Sequence, residues 1–467
     1  MCFRLCPARH RWLVLLAASY IFYAAWSIPF IGVILFTTSV DYFASRVVHG
    51  SSNLAVRRTA LWFAIASNLL VLGVFKYGNA LLDAQYSLCT WWGAAAPLPK
   101  HLAIILPLGI SYYTFEAISY LIDVYRGGAP ARNWLTYNFY IMYFPHLVSG
   151  PIIRFRQFWH QCAGPIALPS LTRIGKGFEL ILFGYLFKIA FADGCAALAD
   201  PFYSAPAAHS ALDAFIAVSA SFLQIYMDFL GYTQIARGVS LLFNIQLPPN
   251  FAHPPEAGSM SQFFMRWQIT LSQWLHDYVF VPLGGRKRSV VRGSVAAFIT
   301  LLLAGIWHGA GLNFVALGLC FGTSVLIHRL YRRWLPDAPY LLGHSVVSKC
   351  TYSLLSHALV LAATISAAVF FRAPDLPTAG LIFSKLANVP AMFAEVEHLS
   401  VTGHYHAVVL AIFLWFIGFS GSTAERLYRR IYEPLPYWLR LQGATVAATV
   451  CWVLAASPTK PFIYFQF

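Results

Sequence analysis

The chain has 467 residues, 59% of them hydrophobic and only 10% charged, where a soluble domain carries about 25% charged residues. That balance excludes a disordered chain, a coiled coil and an ordinary cytosolic enzyme, and it points to an integral membrane protein whose bundle folds as one unit in lipid, a single domain over residues 1–467. The net charge of +15 does not make a nucleic-acid binder, because the basic residues sit in short clusters between apolar runs, as cytoplasmic loops do beside an anionic leaflet.

A spanning helix needs about 20 apolar residues to cross about 30 Å of hydrocarbon. Apolar runs lie near 12–26, 27–45, 59–75, 101–125, 177–199, 212–236, 294–308, 312–328, 351–371, 404–422 and 440–456. They predict an all-α polytopic protein with about 11 transmembrane helices, since the alternating segments of a barrel are not seen. No cleavable signal peptide is visible, and the first run leads directly into the second through a turn at Ser27 and Pro29. Two stretches do not read as simple spans. Residues 133–158 are broken by Pro145, Gly150 and Pro151, and residues 248–292 interleave Trp267, Trp274, Arg266, His276 and Asp277 with apolar positions. Such stretches suit interfacial or re-entrant elements, which are candidate walls of a site.

Basic clusters test the layout. Arg9 and Arg11 precede the first run; Arg57 and Arg58, Arg126 and Arg132, Arg286 to Arg292, Arg329 to Arg333 and Arg426 to Arg430 mark later loops. With the N-terminus in the cytoplasm all of them fall on the cytoplasmic side, and residues 373–403, with Glu395 and Glu397, fall outside. The eight cysteines are scattered without zinc spacing or a disulfide framework, and no metal site is expected. Cys2 and Cys6 are open to palmitoylation or to no role at all.

Four constellations carry polar chemistry. His308 closes the run 294–308 within Trp307-His308-Gly309-Ala310-Gly311. Fifteen residues rise only about 22 Å as a helix, which places His308 inside the membrane. It is either a general base, the role histidine fills near neutral pH, or a histidine packed at a helix end on a carbonyl. The glycines allow the backbone to approach a ligand closely. In the second constellation Arg266 suits a carboxylate or phosphate partner, whereas His276 and Asp277, about 100° apart on a helix, are not expected to pair. The third holds Gln224 and Asp228 on one helix face, with Tyr226 between them; Asp228 is either catalytic or half of a structural ion pair. In the fourth, Glu116 and Asp123 share a face suited to a polar channel, about 10 Å apart, a separation that disfavours paired-carboxylate glycosidase chemistry. A Walker motif, a GxGxxG helix start, HExxH and GxSxG are absent.

Seven segments in order resemble the membrane-bound O-acyltransferase (MBOAT) family, and within it the bacterial alginate O-acetyltransferase-like branch. They are LPLGISYYTFEAISYLIDVYRG at 106–127, FPHLVSGPIIR at 144–154, QIYMDFLGYTQIA at 224–236, PPNFAHPPEAGSMSQFFMRWQITLSQWLHDYVFVPLGG at 248–285, LLAGIWHGAGLNF at 302–314, FFRA at 370–373 and PFIYFQF at 461–467. The resemblance implies a helical bundle around a central funnel in the bacterial inner membrane. It implies an acyl group, acetyl in this branch, passed from a cytoplasmic thioester such as acetyl-CoA or an acyl carrier toward a polysaccharide acceptor, with a secreted or membrane-anchored SGNH-type acetyltransferase as partner. It puts His308 in the place of the family's active-site histidine. Gln268, Arg266, Asn313, Asp228, Tyr226 and Gln224 are the candidate lining, with Gln268, Asn313 or backbone N–H groups to stabilise an oxyanion.

Two departures stand out. The branch carries a second histidine in RWHxSLS, and this chain has Gln268 there, which cannot transfer a proton near neutral pH. Relatives also open with a further apolar segment before the region matching Arg11 to Trp26, so the resemblance implies an internal start or a shortened variant. Two other functions remain open: a non-catalytic conduit in a polysaccharide-secretion complex, suggested by Gln268, and a lipid or glycan transporter, suggested by Glu116, Asp123 and Asp228.

Overall fold

A computed structural model describes residues 2–93, 101–102, 104–286, 289–335, 345–398, 420–455 and 460–462. All regular elements among the described residues are helical. Seven helices among the described residues are long and apolar enough to cross a membrane, so the chain is an all-α polytopic membrane protein. Contacts gather into two compact units, residues 1–181 with 236–248, and residues 182–235 with 249–467.

The first unit holds α1 (Arg11–Trp26), α2 (Ile28–Gly50), α3 (Leu54–Trp91), α4 (Ile110–Tyr125), α5 (Trp134–Met142) and α6 (Phe155–Cys162). Ser27 breaks α1 from α2, and Pro29 sits in the first turn of α2, where its missing N–H costs nothing. The apolar run 59–75 is the middle of a 38-residue helix, about 57 Å long. The run 101–125 is helical only from Ile110, because Pro107 and Gly109, at φ +74°, hold the chain in a turn. Residues 133–158 are broken as their prolines predict, into α5, a single turn at Phe144–Leu147 and α6. Glu116 does not line a channel. It is buried, and His146 Nδ1 lies 2.8 Å from its Oε1 while His146 Nε2 meets the Tyr140 carbonyl at 3.0 Å.

Helices α7 (Leu171–Ser204) and α8 (Ala211–Leu241) each contribute to both units. The second unit continues with α9 (Met260–Arg266), α10 (Ile269–Leu275), α11 (Val290–His308), α12 (Leu312–Trp334), α13 (Val346–Arg372), α14 (Leu376–Ala387), α15 (Val389–His398) and α16 (Tyr437–Ala455). Ser289 caps α11, so this helix starts four residues before the apolar run and rises about 28 Å over its 19 residues. The short-span argument for the depth of His308 therefore falls away, although His308 remains the helix's last residue. α11 and α12 form a tight hairpin, in which a Cβ on Gly305 would lie 2.3 Å from the Cα of Gly318. Backbones that close need glycine at the crossing. The predicted span 404–422 falls almost wholly outside the described residues.

Candidate active site

α11 ends on His308, and two rings fix the imidazole. Trp307 lies 4.8 Å away between ring centroids, and Phe371 meets it edge-on at 5.4 Å. The glycines after it serve packing rather than a ligand: a Cβ on Gly309 would fall 2.1 Å from the Phe314 ring, and one on Gly311 would fall 2.1 Å from Asn313 Oδ1. Asn313 spends its amide on backbone carbonyls. Its Nδ2 donates to the carbonyls of Phe370 at 3.1 Å and Ala373 at 2.9 Å, which ties the start of α12 to the end of α13. Both amide hydrogens are thereby used, so this side chain is placed to hold Phe371 against His308 and not to meet an oxyanion.

Gln268 is brought to the same place from another segment. It is 2% exposed and stands between α9 and α10 in the left-handed region, at φ 41° and ψ 56°. Asn250 clamps the bend: its carbonyl accepts from Ile269 N at 2.8 Å, and its Oδ1 accepts from Thr270 Oγ1 at 2.6 Å. A buried non-glycine residue in this conformation costs about 1–3 kcal/mol and marks a position chosen for where its side chain points.

His308 and Gln268 line one cavity of about 240 Å³. Two helical stripes form much of its wall. Leu271, Ser272 and Leu275 line it from α10, flanked by Gln268 and His276, and Ala297, Thr300, Leu301, Ala304 and His308 line it from α11; Phe264 of α9 and Phe321 and Val325 of α12 also line it. His276 sits at the wall with Asp277 beside it, and contrary to the sequence expectation the two pair, Nδ1 to Oδ1 at 2.8 Å. The pair opens the π-helical turn His276–Phe280.

The remaining predicted residues serve other contacts. Tyr226 is buried against Phe251 and against Trp267, a cavity-lining residue, at 5.7 and 5.8 Å between centroids. Arg266 finds a carboxylate, Glu256 Oε2 at 3.7 Å, and donates to the His253 carbonyl. Nearby, the His253 imidazole bonded to Glu425, helped by Arg429, holds that carboxyl below the usual carboxylate range. Asp228 is half of a buried ion pair with Lys188, 2.8 Å away, and Lys188 also meets Asp193 at 2.8 Å. Gln224 accepts from Arg372, which also grips Asp200, and Lys460 reaches Asp200 as well. Sequence reading passed over Lys188, Asp200 and Asn250. A lone lysine and a lone aspartate in separate apolar runs are the signal that would have found the first. Asn250 and Asp200 lie in polar or loop-like sequence with no periodicity to single them out. Among the described residues no group of three or more His, Cys, Asp or Glu is placed to hold a metal ion.

Residues 131–346, which carry His308, Gln268 and Asn313, match the family model described as MBOAT, membrane-bound O-acyltransferase family. The chain is 36% identical to the "probable alginate O-acetylase AlgI" of Azotobacter vinelandii over 335 residues, covering 70% of this chain and 65% of that protein. It is 31% identical to the protein of the same name in Pseudomonas syringae pv. tomato, covering 98% of this chain and 95% of the relative. The "peptidoglycan O-acetyltransferase" of Helicobacter pylori is 26% identical, with 98% and 91% covered. The family model over residues 131–346, with a relative 31% identical across nearly the whole of both chains, shows that the chain belongs to the membrane-bound O-acyltransferase family.

Proposed function

We propose that the protein moves acetyl groups from a cytoplasmic thioester, acetyl-CoA or another acyl carrier, toward an extracytoplasmic polysaccharide, with His308 as general base. It works as one domain in the bacterial inner membrane, N-terminus in the cytoplasm. A secreted or membrane-anchored SGNH-type acetyltransferase completes delivery to the acceptor. The observation that carries this reading is the shared cavity of His308 and Gln268. His308 takes the proton of the attacking hydroxyl, the oxygen bonds to the acyl carbon, and the carbon–sulfur bond breaks. The imidazolium then returns its proton to the leaving thiolate. The buried Gln268 side chain, on the wall of the same cavity, donates to the developing oxyanion, and the Asn313 amide is spent on two carbonyls.

Of the three carboxylates behind the transporter reading, Glu116, Asp123 and Asp228, the first is held by the His146 imidazole and the last by the Lys188 ammonium. The conduit reading keeps one observation, the glutamine at 268. For the proposed reaction, His308→Ala is expected to abolish O-acetylation of surface glycan, read by mass spectrometry, while the protein still accumulates in the membrane. Product at wild-type level in that variant removes His308 from the mechanism.

A further inference from the structure

His308 borders two spaces. Besides the larger cavity, it lines a recess of about 50 Å³ between α8, α12 and α13. Phe222 forms one wall and Leu317 another. From α13 come Thr364, Ala367, Ala368 and Phe371, spaced i, i+3, i+4 and i+7, so one stripe of that helix faces in. Two alanines in the middle of the stripe leave the space open, and no charged side chain lines it. The recess adjoins the imidazole, and the thioester carbonyl must come to that same imidazole if His308 deprotonates its attacker.

We propose that this recess receives the carbon chain of the acyl group and limits the transferred group to two or three carbons. The inference rests on the reading of His308 as the base for acyl transfer. Size supports it: about 10–15 Å³ holds one water-sized group, so the recess takes roughly three to five heavy atoms, against about three in acetyl and about nine in octanoyl. Polarity narrows the choice further. An aminoacyl group brings a buried ammonium to a wall whose side chains are nearly all apolar, which is a costly transfer from water. Ala367, Ala368 and Leu317 thus act as a gauge for the acyl chain, and the larger cavity is left for the rest of the donor or the acceptor.

The test uses membranes containing the full chain, supplied in turn with acetyl-, propionyl-, butyryl- and octanoyl-CoA, and with glycyl-CoA as the charged counterpart of propionyl. O-acyl groups on the glycan are read by mass spectrometry. The expected result is transfer of acetyl and propionyl, a drop of about 10–200-fold for each methylene beyond the limit, and little glycyl transfer. Ala368→Leu should lower acetyl transfer at least about tenfold by filling the recess, and Leu317→Ala should move the limit outward by about one or two carbons. Octanoyl transferred as well as acetyl, or an active Leu317→Ala variant with the wild-type limit, overturns the inference. If either variant fails to accumulate, the wild-type chain-length profile decides alone. No product from any thioester with the wild type overturns the acyl-transfer reading itself, an outcome distinct from product without a length limit.

Discussion

Gln268 bears a strained backbone and gives up proton transfer, yet it faces His308 across the cavity. If position 268 orients substrate by hydrogen bonding, glutamine suffices. Gln268→His should then change activity modestly and Gln268→Ala should lower it clearly in the same acetylation assay, with the protein level unchanged. If the position must move a proton, the wild type is slow by about 10²–10⁴-fold and Gln268→His restores it, which would move the conduit reading into first place. Arg372 is a positioning residue in this scheme. It forks between Gln224 and Asp200, while its neighbour Phe371 holds the His308 ring. Arg372→Lys keeps one charge but loses the fork and is expected to retain part of the activity; Arg372→Gln should lower kcat about tenfold or more, with KM little changed, because Asp200 loses its guanidinium. A fall confined to KM would place Arg372 on substrate instead. At this scale residue type and motif order single out His308 and Gln268, which line one cavity, and Arg266, which meets Glu256. The partners of Asp228 and Gln224 were not, since Lys188 and Arg372 come from segments 40 or more positions away or 148 positions away, and nothing in a single run announces a long-range pair.

Two helices fix the histidine through one crossing. α11 and α12 meet at Gly305 and Gly318, and a Cβ on Gly318 would lie 2.6 Å from the Leu302 carbonyl oxygen. Gly318→Val must push the hairpin apart, a strain of about 1–3 kcal/mol. The expected outcome is a lower unfolding temperature in detergent and weaker acetyl transfer, whereas Gly32→Val, where a Cβ meets nothing within 4 Å, should change neither. Element boundaries show where apolar pattern misleads. The run 101–125 looked like one span because Pro107 and Gly109 are too few to interrupt its hydropathy, yet they set where α4 begins. His276 and Asp277 looked unpaired because neighbouring side chains on an α-helix diverge, yet the two meet at the start of a π-helical turn. Hydropathy records burial in lipid well and records local hydrogen-bond pattern poorly, so helices were legible while their ends and ring sizes were not.

Across the whole molecule, charge placement makes an orientation testable. Single-cysteine labelling from outside the cell should modify position 395 and spare position 288 if the N-terminus is cytoplasmic; the reverse pattern rejects that layout. The C-terminal segment bears on the same scale. Lys460 reaches Asp200 across 260 positions, the Pro461 carbonyl accepts from Lys188 at 3.4 Å, and Phe462 covers that ammonium at 5.0 Å. A ribosome releases Lys188 and Asp200 early, His308 later, Arg372 after that, and Lys460 later still. The membrane-inserted nascent chain thus carries its histidine before the cation and ring that finish the charge shell around Asp200 and Lys188. Closure of this shell therefore waits on residues 460–462: a chain cut before Lys460 keeps every helix described here but leaves Asp200 and the Lys188 ammonium without that cover.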